Sequence, residues 1–325
     1  MNCLSINLKG VRDSRKSDWI RGLKTSYGIH FIAIQETKLQ DAENFKFNQL
    51  WERAEFKLAV ENSQGRSWGL ACIWCPSVFR CVDIIKSRFF IVVLGFLVQT
   101  GCRINFMNIY APSEAVGWRA LWSEILDVKN SLQGLWVMMG DFNEVRDASE
   151  RLNSEFVEAN ADVFNQFILS AGVVEYNMGG GNYTYISDNG KKLSKLDRFL
   201  VCLGFREQWP NATVLALDRV ASDHRPIILS TVQTDFGHIP FRFFNSWFEF
   251  PGFLDFVLQM GGSFSFSGPD DLALAIKLRW LKNKIKSWLK VEQSSREGIY
   301  NSKKKEISEH RKFGGRKNVV GRRTG

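Results

Sequence analysis

The chain has 325 residues, 45% of them hydrophobic, and a formal net charge of +9 at pH 7. Its 11 Trp and 26 Phe exclude a chain that is disordered throughout, and its length allows one large domain or two smaller ones. The longest apolar run, residues 89–98, is half of the roughly 20 residues that a membrane-spanning helix needs.

The compartment follows from the N-terminus and the cysteines. The opening "MNCLSINLKG" has no basic segment followed by an apolar one, so nothing marks the chain for secretion. Six Cys are scattered without a framework, and Cys72-x-x-Cys75 has no second pair at zinc spacing. We therefore expect an intracellular protein of the nucleus or cytoplasm, with no membrane contact, acting as a monomer.

Short apolar runs alternate with helical patterns along most of the chain. Helices are predicted at 14–27, 114–133 and 160–171, and eleven strands at "CLSIN", "FIAIQE", "GLACIW", "CVDII", "FFIVVLGFLV", "INFMNIY", "LWVMMG", "YTYIS", "LDRFLV", "TVLAL" and "PIILSTV". So many strands with so few helices between them cannot all be joined by βαβ crossovers. The pattern predicts an α/β four-layer sandwich of two packed, mainly antiparallel sheets flanked by helices.

The sequence changes character near residue 235. Residues 236–269 form an aromatic and Gly/Ser-rich linker, and 270–325 are predicted to form a basic helical segment and a disordered tail. The helix would carry an apolar stripe made of Leu274, Leu278, Leu281, Ile285 and Trp288. From Lys277 to Gly325 there are 16 Lys or Arg against 4 Asp or Glu, whereas residues 1–276 are slightly acidic. The basic character therefore belongs to the C-terminal segment.

Polar side chains stand where several predicted strands begin or end. Such strand ends are where layered folds build their sites, and the set is Asn7, Glu36, Tyr110, Asp141, Asn143, Asp197, Asp223 and His224. Singly, each has an ordinary explanation: Asp141 to Asn143 could be an Asx turn, and His224 could be part of an ion pair. Together, the carboxylates and amides suit a hard cation beside a group that transfers protons.

That combination suits phosphodiester hydrolysis. Carboxylate oxygens can hold Mg²⁺, with Mn²⁺ as an alternative, and the cation neutralises charge on the phosphate and on the leaving group. A carboxylate can deprotonate the attacking water, and an imidazole oriented by a second carboxylate can donate to a phosphate oxygen.

Five motifs occur in an order that resembles the endonuclease/exonuclease/phosphatase superfamily, which includes DNase I. They are "QETK" at 35–38, "NIYAPS" at 108–113, "GDFNEV" at 140–145, "SKLDRFLV" at 194–201 and "SDHRPI" at 222–227. The residues of these motifs are most similar to those of the endonuclease domain of plant LINE-type non-LTR retrotransposons, and the similarity covers roughly residues 1–250. It implies DNA as substrate and residues 1–235 as the endonuclease domain.

The resemblance also implies a role for each polar residue. Glu36 would be the principal metal ligand, assisted by Asn7 and Asp223. Asp141 would activate water, and Asn143 would hold the phosphate. His224, oriented by Asp197, would stabilise the transition state, and Tyr110 would contact the scissile phosphate.

Two features depart from the superfamily pattern. Abasic-site enzymes carry an Asp two residues after the Asn, whereas this chain has Lys9, as plant LINE endonucleases often do. No polymerase-like acidic motif precedes Gly325, so we expect a truncated element.

Three functions follow from these features. The first is a Mg²⁺-dependent endonuclease that nicks one DNA strand. The second is another phosphodiesterase of the superfamily, such as an abasic-site repair nuclease or a phosphoinositide-type phosphatase. The third is an inactive remnant whose basic tail binds nucleic acid, RNA included. Tyr183 and Tyr185 could touch DNA, but their pattern favours core packing.

Overall fold

The computed structural model describes residues 1–289 except 52–53, 64–67, 232–246, 249, 271 and 275. Contacts divide the chain into two compact units, Met1–Thr234 and Asp235–Gly325. The predicted basic tail beyond residue 289, and most of the aromatic segment that follows residue 235, lie outside the described residues.

The first unit contains two large β-sheets. The seven-stranded sheet has the order β11-β15-β16-β1-β2-β4-β3, and its members are β1 (Asn2–Asn7), β2 (Phe31–Gln35), β3 (Lys57–Glu61), β4 (Leu70–Trp74), β11 (Met178–Gly180), β15 (Thr213–Ala216) and β16 (Ile227–Ser230). The six-stranded sheet has the order β10-β14-β8-β7-β6-β5, and its members are β5 (Phe79–Lys86), β6 (Phe90–Leu97), β7 (Arg103–Tyr110), β8 (Leu135–Asp141), β10 (Val173–Glu175) and β14 (Asp197–Cys202). A third, small sheet joins β12 (Tyr185–Ile186), β13 (Leu193–Ser194) and β9 (Arg151–Leu152).

Most neighbouring strands run antiparallel. One parallel pair lies near the centre of each large sheet, and a third, β11 with β15, lies at the edge of the seven-stranded sheet. β1 pairs with β2 in parallel, and β7 pairs with β8 in parallel. Parallel neighbours need a crossover connection. In the two central pairs a helix supplies it: α1 (Ser14–Tyr27) between β1 and β2, and α3 (Trp118–Ser131) between β7 and β8. Strands of each parallel pair therefore end at the same edge of their sheet.

The helices cover the outer faces of the two sheets. α1 and α2 (Asn48–Trp51) pack on the seven-stranded sheet through a cluster that includes Ile20, Leu50 and Trp51. α3 and α4 (Glu158–Ser170) pack on the six-stranded sheet through Trp122 and Phe164. A short helix, α5 (Leu203–Gln208), follows β14.

The main core lies between the inner faces of the two sheets. Phe31 from the seven-stranded sheet stacks on Phe106 from the six-stranded sheet, with ring centroids 4.5 Å apart. Burial of large aromatic side chains on both faces supplies most of the stabilisation of such a sandwich. The layer order is helix, sheet, sheet, helix, and the predicted four-layer α/β architecture is confirmed.

The predicted elements differ from the structure mainly at short strands. All eleven predicted strands occur, although the one at 183–187 is reduced to Tyr185–Ile186. Five strands were not predicted: β3, β9, β10, β11 and β13. The helix predicted at 114–133 is a 3₁₀ turn at Ala115–Gly117 followed by Trp118–Ser131.

The described part of the second unit is helical. α6 (Phe253–Ser263) packs against a helix at residues 276–289, with Phe253 and Ile285 buried and Phe256 stacked on Trp288 at 5.7 Å. The predicted apolar stripe is buried only in its second half, because Leu274 and Leu278 are each 59% exposed. None of the described helices is long and apolar enough to span a membrane.

Candidate active site

The strand ends of both large sheets meet at one edge of the first unit. The seven-stranded sheet brings Asn7, Glu36, Asp223 and His224, and the six-stranded sheet brings Tyr110, Asp141, Asn143 and Asp197. Within the six-stranded sheet, Asp141 lies opposite Tyr110 on one side and opposite Asp197 on the other. The fold therefore places the predicted site residues of that sheet next to one another.

Three side-chain contacts join the two sheets at this edge. The Asn7 amide Nδ2 donates to Asp141 Oδ2 at 3.0 Å, across 134 residues of sequence. His224 Nδ1 lies 2.8 Å from Asp197 Oδ2, and His224 Nε2 lies 3.8 Å from Asp141 Oδ2. These contacts bring the predicted proton-transfer residues and one predicted metal ligand into one buried cluster.

The charges of this cluster are set by burial and by one another. Burial raises the pKa of Asp141 to about 6. Burial alone would lower the pKa of His224, but the adjacent Asp197 and Asp141 carboxylates outweigh it and raise that pKa to about 9. At neutral pH, Asp141 is therefore mostly ionised and His224 carries a proton on each ring nitrogen.

Asp197 is held in place by a residue that the sequence did not single out. The Thr184 hydroxyl oxygen accepts from the backbone N–H groups of Leu196 and Asp197, both at 2.9 Å, and is buried. Thr184 also accepts at its carbonyl from the Arg225 N–H at 2.7 Å. The alternation of the predicted strand "YTYIS" placed Thr184 on the face opposite the two tyrosines, and this was the available signal.

The segment from Asp141 to Asn143 is also the Asx turn that was the simpler alternative. The Asn143 N–H donates to Asp141 Oδ1 at 3.0 Å, and the Asn143 amide donates to the Ala111 carbonyl at 2.6 Å. Asn143 has a φ of 53°, in the left-handed region that few residues other than glycine adopt. The turn thus fixes the Asp141 carboxylate and aims the Asn143 side chain at the strand that ends in Tyr110.

Ser222 supports the turn that carries His224. Its hydroxyl donates to the Asn7 carbonyl at 2.7 Å and accepts from the His224 N–H at 3.2 Å. Ser222 thereby fixes Asp223 and His224 against the end of β1.

Glu36 and Asp223 carry the remaining carboxylates, and each pairs with a lysine. The Lys38 ammonium lies 3.0 Å from Glu36 Oε1, and the Lys9 ammonium lies 2.9 Å from Asp223 Oδ2. Burial alone would raise the pKa of Asp223, but the hydrogen bond from Lys9 and the charges of His224 and Lys9 together lower it. Neither lysine contact was predicted.

The Tyr110 phenol lies close to three of these carboxylates. Burial, followed by the charges of Glu36, Asp141 and Asp223, raises the pKa of the Tyr110 phenol. The phenol therefore keeps its proton and can donate a hydrogen bond. Carboxylate and amide oxygens are the donors that Mg²⁺ prefers, so the chemistry of the donor set fits a hard divalent cation.

A second group could hold a metal by spacing alone. Ligand atoms of Asp141, Asp197 and His224 lie within 4.8 Å of one another. The 2.8 Å contact between His224 and Asp197 is a hydrogen bond that a shared cation would break. This group therefore keeps its predicted role in proton transfer, and the cation is predicted instead at Glu36, Asn7 and Asp223.

Tyr183 and Tyr185 correct one expectation. Both are half-buried and neither packs on a hydrophobic core cluster of the described residues, so the interpretation of these residues as core packing is wrong. The Tyr185 ring lies 5.1 Å from the His224 ring, and its backbone forms a β-bridge with His224. Tyr185 therefore forms part of the wall of the site.

Comparisons with known proteins identify the family and the fold. The model of the endonuclease/exonuclease/phosphatase family matches residues 2–224. A search of curated proteins gave no significant match.

Solved structures share the fold at low sequence identity. The abasic-site endonuclease LMAP from Leishmania major is 14% identical, with a TM-score of 0.58 over 70% of this chain and 86% of its own. The 3′ phosphatase NExo from Neisseria, bound to a product DNA hairpin, is 17% identical, with a TM-score of 0.55 over 71% and 98%. The endonuclease domain of TRAS1, a telomere-specific non-LTR retrotransposon, is 16% identical, with a TM-score of 0.52 over 70% and 96%.

The family match covers most of the first unit, including every residue of the site from Asn7 to His224. The superfamily assignment made from the five motifs is confirmed. The chain belongs to the endonuclease/exonuclease/phosphatase family of phosphodiester hydrolases, which generally depend on a divalent metal.

Proposed function

We propose that this chain is a Mg²⁺-dependent DNA endonuclease of the LINE retrotransposon type, which nicks one strand. One observation carries the proposal: His224 lies between Asp197 at 2.8 Å and Asp141 at 3.8 Å, beside the carboxylates of Glu36 and Asp223. This arrangement provides a proton acceptor, a proton-bearing donor and a cation site around one phosphate.

Asp141 activates the attacking water in this mechanism. The ionised carboxylate takes a proton from water as the water oxygen forms a bond to phosphorus, and the bond from phosphorus to the 3′ oxygen breaks. The products are a 3′-hydroxyl, which gains a proton from solvent, and a 5′-phosphate. Asn7 and the Asn143 N–H donate to Asp141 and hold its carboxylate for this step.

His224 stabilises the negative charge that builds up on the phosphate. Its Nδ1 donates to Asp197, which leaves the proton on Nε2 free to reach a non-bridging oxygen. The protonated Tyr110 phenol donates to the same phosphate, and the second N–H of the Asn143 amide adds a further donor. The contacts with Asp197 and with the Ala111 carbonyl fix the His224 ring and the Asn143 amide before the substrate binds.

Glu36, Asp223 and the Asn7 side-chain oxygen would hold the Mg²⁺. When bound, the cation neutralises charge on the phosphate oxygens and on the departing 3′ oxygen. Lys9 and Lys38 neutralise the same two carboxylates in the structure, which supports a site built for positive charge.

The choice of DNA and of the retrotransposon type has separate support. The five motifs are most similar to LINE endonuclease domains, and the TRAS1 domain shares the fold over 96% of its length. Lys9 stands where abasic-site repair enzymes have an acidic residue, which argues against a dedicated repair nuclease.

Nicking of supercoiled plasmid in the presence of Mg²⁺ tests the proposal. We expect the wild type to convert supercoiled to open-circular DNA, and His224→Ala and Asp141→Asn to lose on the order of a hundredfold in rate. His30→Ala and Asp127→Asn are matched controls, because neither residue belongs to the site, and they should retain the wild-type rate. Equal nicking by wild type and site variants would mean that the activity comes from a contaminant.

Alternative substrates separate the proposal from related phosphodiesterases. An abasic-site duplex and an inositol polyphosphate should be cleaved no faster than intact DNA. A strong preference for either one would replace the proposed substrate while leaving the mechanism unchanged.

A second candidate function concerns the basic C-terminal segment, which would bind DNA or RNA. Residues 276–289 carry Lys277, Arg279, Lys282, Lys284 and Lys286 and no acidic residue. Such binding does not depend on nucleotide sequence, and the logarithm of its binding constant falls linearly with the logarithm of the salt concentration. Removing residues 277–325 should reduce the salt dependence of RNA and DNA binding, and an unchanged dependence would contradict this candidate.

A further inference from the structure

Lys9 lies in a turn whose backbone is fixed on all sides. Its φ is 49°, and its N–H donates to the Asn7 side-chain oxygen at 3.1 Å. The Lys16 ammonium donates to the Lys9 carbonyl at 3.1 Å, and the Gly10 N–H donates to the Glu36 carbonyl at 2.7 Å. The fold therefore fixes the Lys9 backbone, and with it the point from which the side chain extends.

The Lys9 ammonium has two carboxylates within reach. It lies 2.9 Å from Asp223 Oδ2 and 3.6 Å from Asp188 Oδ1. The Asp223 side chain is 12% exposed, whereas that of Asp188 is 86% exposed. A small rotation of the lysine side chain would exchange the first partner for the second, with no movement of the backbone.

Asp188 belongs to the turn that joins β12 and β13. This hairpin begins beside the site, because the Ile186 N–H donates to the Asp223 carbonyl at 2.9 Å. Arg219 donates to the Ile186 carbonyl at 3.1 Å and holds the base of the hairpin, while Asp188 at its tip is held by Lys9. Lys9 thus connects a carboxylate of the predicted cation site to an exposed surface turn through one ammonium group.

We propose that Lys9 is an internal counter-cation, which a divalent cation displaces from Asp223 to Asp188, so that filling the site tightens the β12–β13 turn. The inference rests on the proposed function, because it takes Asp223 as a ligand of the cation. Asp223 Oδ2 cannot accept the ammonium at hydrogen-bond distance and bind a cation on the same side, since two positive charges would then be in contact.

Lys9 is a positioning residue in this scheme, since it acts through Asp223 and Asp188. Two consequences follow from competition for one oxygen. Lys9 weakens the binding of the divalent cation, and the binding of the cation strengthens the Lys9–Asp188 pair. Thermodynamic linkage requires the free energies of these two effects to be equal.

The test measures Mn²⁺ affinity by electron paramagnetic resonance in the full chain. Lys9→Met keeps the length of the side chain and removes the charge, and we expect it to bind Mn²⁺ about tenfold more tightly. Asp188→Asn removes the second acceptor, and we expect it to bind Mn²⁺ about threefold more weakly. Unchanged or weaker affinity in Lys9→Met would overturn the inference.

A double variant separates the exchange of partners from a general effect of surface charge. If Asp188 acts through Lys9, then Asp188→Asn should have no effect in the Lys9→Met background. If Asp188→Asn weakens binding equally in both backgrounds, the residue acts only as a distant charge and the exchange is wrong. Asp218→Asn, which removes another exposed acid, is the control for surface charge.

Hydrogen exchange gives a readout that does not depend on affinity. Saturating Mn²⁺ should slow amide exchange at residues 187–191 in the wild type but not in Lys9→Met. If wild type and variant respond alike, the turn is not linked to Lys9. Failure of the proposed function has a different signature: Asp223→Asn would then bind Mn²⁺ as tightly as the wild type.

Discussion

Asp141 and Asp197 are paired residues of neighbouring strands, and their carboxylates approach the two ring nitrogens of His224. They lie opposite each other in the register of β8 and β14, and both are buried. Asp197 binds Nδ1 at 2.8 Å, while Asp141 stands 3.8 Å from Nε2. The register of β8 and β14 therefore positions both carboxylates of the proposed proton-transfer group. The segment before β16 places the His224 ring between them.

The rate of nicking should depend on pH through two ionisations. Asp141 must be ionised to accept a proton, and burial raises its pKa to about 6, so activity should rise as the pH increases through 6. His224 must be protonated, and its pKa of about 9 means that activity should fall as the pH increases through 9. Initial rates at fixed Mg²⁺ between pH 5 and 10 should give a bell-shaped curve, whose limbs belong to the coupled pair. A rate that keeps rising to pH 10 would exclude the role given to His224.

Asp197→Asn should move the alkaline limb of that curve to lower pH. Burial lowers the pKa of His224, and the substitution removes the Asp197 charge and leaves only Asp141 and Asp223 to oppose it, so the pKa of His224 falls. We expect a loss on the order of a hundredfold or more at pH 8, with a smaller loss near pH 6. A merely structural role for Asp197 would lower the rate without displacing the limb. Asp162→Asn, on the exposed face of α4, is the control.

The sequence predicted eight site residues but not the contacts among them. Each of the eight predicted residues stands at a strand end, and polar groups at the ends of apolar runs are visible in the sequence alone. The pairing of Lys9 with Asp223 spans 214 residues and depends on the approach of β1 to β16, which no local pattern encodes. Thr184 was missed for a similar reason, because its hydroxyl serves the backbone of a distant strand.

The predictability of the fold depended on burial. β2 and β8 read as continuous apolar runs because both of their faces are covered, and such runs are conspicuous. β3 lies at the edge of its sheet and ends in Glu61, so it has little apolar signal. β9 and β13 have two residues each and exist only through tertiary pairing, which short windows of sequence cannot indicate.

Arg198, the residue after Asp197, should be important for stability. Its side chain is fully buried, and it binds Glu150 through both terminal nitrogens and Glu175 at 3.0 Å. Arg198→Met would leave two largely buried carboxylates with Lys195 and Arg146 as their remaining cations, and should lower the free energy of unfolding by about 3 kcal/mol. Urea denaturation at pH 7 measures this loss.

The effect of Arg198→Met on the free energy of unfolding should depend on pH. Burial raises the pKa of Glu150, but hydrogen bonds and charge from Arg198 outweigh it, so the folded-state pKa lies below its ordinary value. A depressed pKa stabilises the fold above the unfolded-state pKa, and this stabilisation is lost as the pH falls through the folded-state value. The difference between wild type and Arg198→Met should therefore shrink in acid. Arg15→Met, which breaks an exposed pair with Asp13, should leave stability unchanged at every pH.

Gly140 should be the least replaceable glycine of the site, because it immediately precedes Asp141 in β8. Its φ is +141°, and a Cβ at this position would stand 1.9 Å from the Ile109 carbonyl oxygen of the neighbouring strand. Gly140→Ala must either separate β7 from β8 or rotate the peptide that carries Asp141. Strained backbone of this kind costs on the order of 1–3 kcal/mol, so we expect lower stability together with loss of nicking.

Gly22→Ala is the matched control for this substitution. Gly22 lies within α1, and a Cβ there would meet no atom within 4 Å. An alanine in a helix interior is preferred to glycine by roughly 0.5–1 kcal/mol, so this variant should be slightly more stable and fully active. If Gly140→Ala melted and nicked like Gly22→Ala, the approach of β7 to β8 would be looser than 1.9 Å implies, and the register that places Asp141 beside Tyr110 and Asp197 would have to be revised.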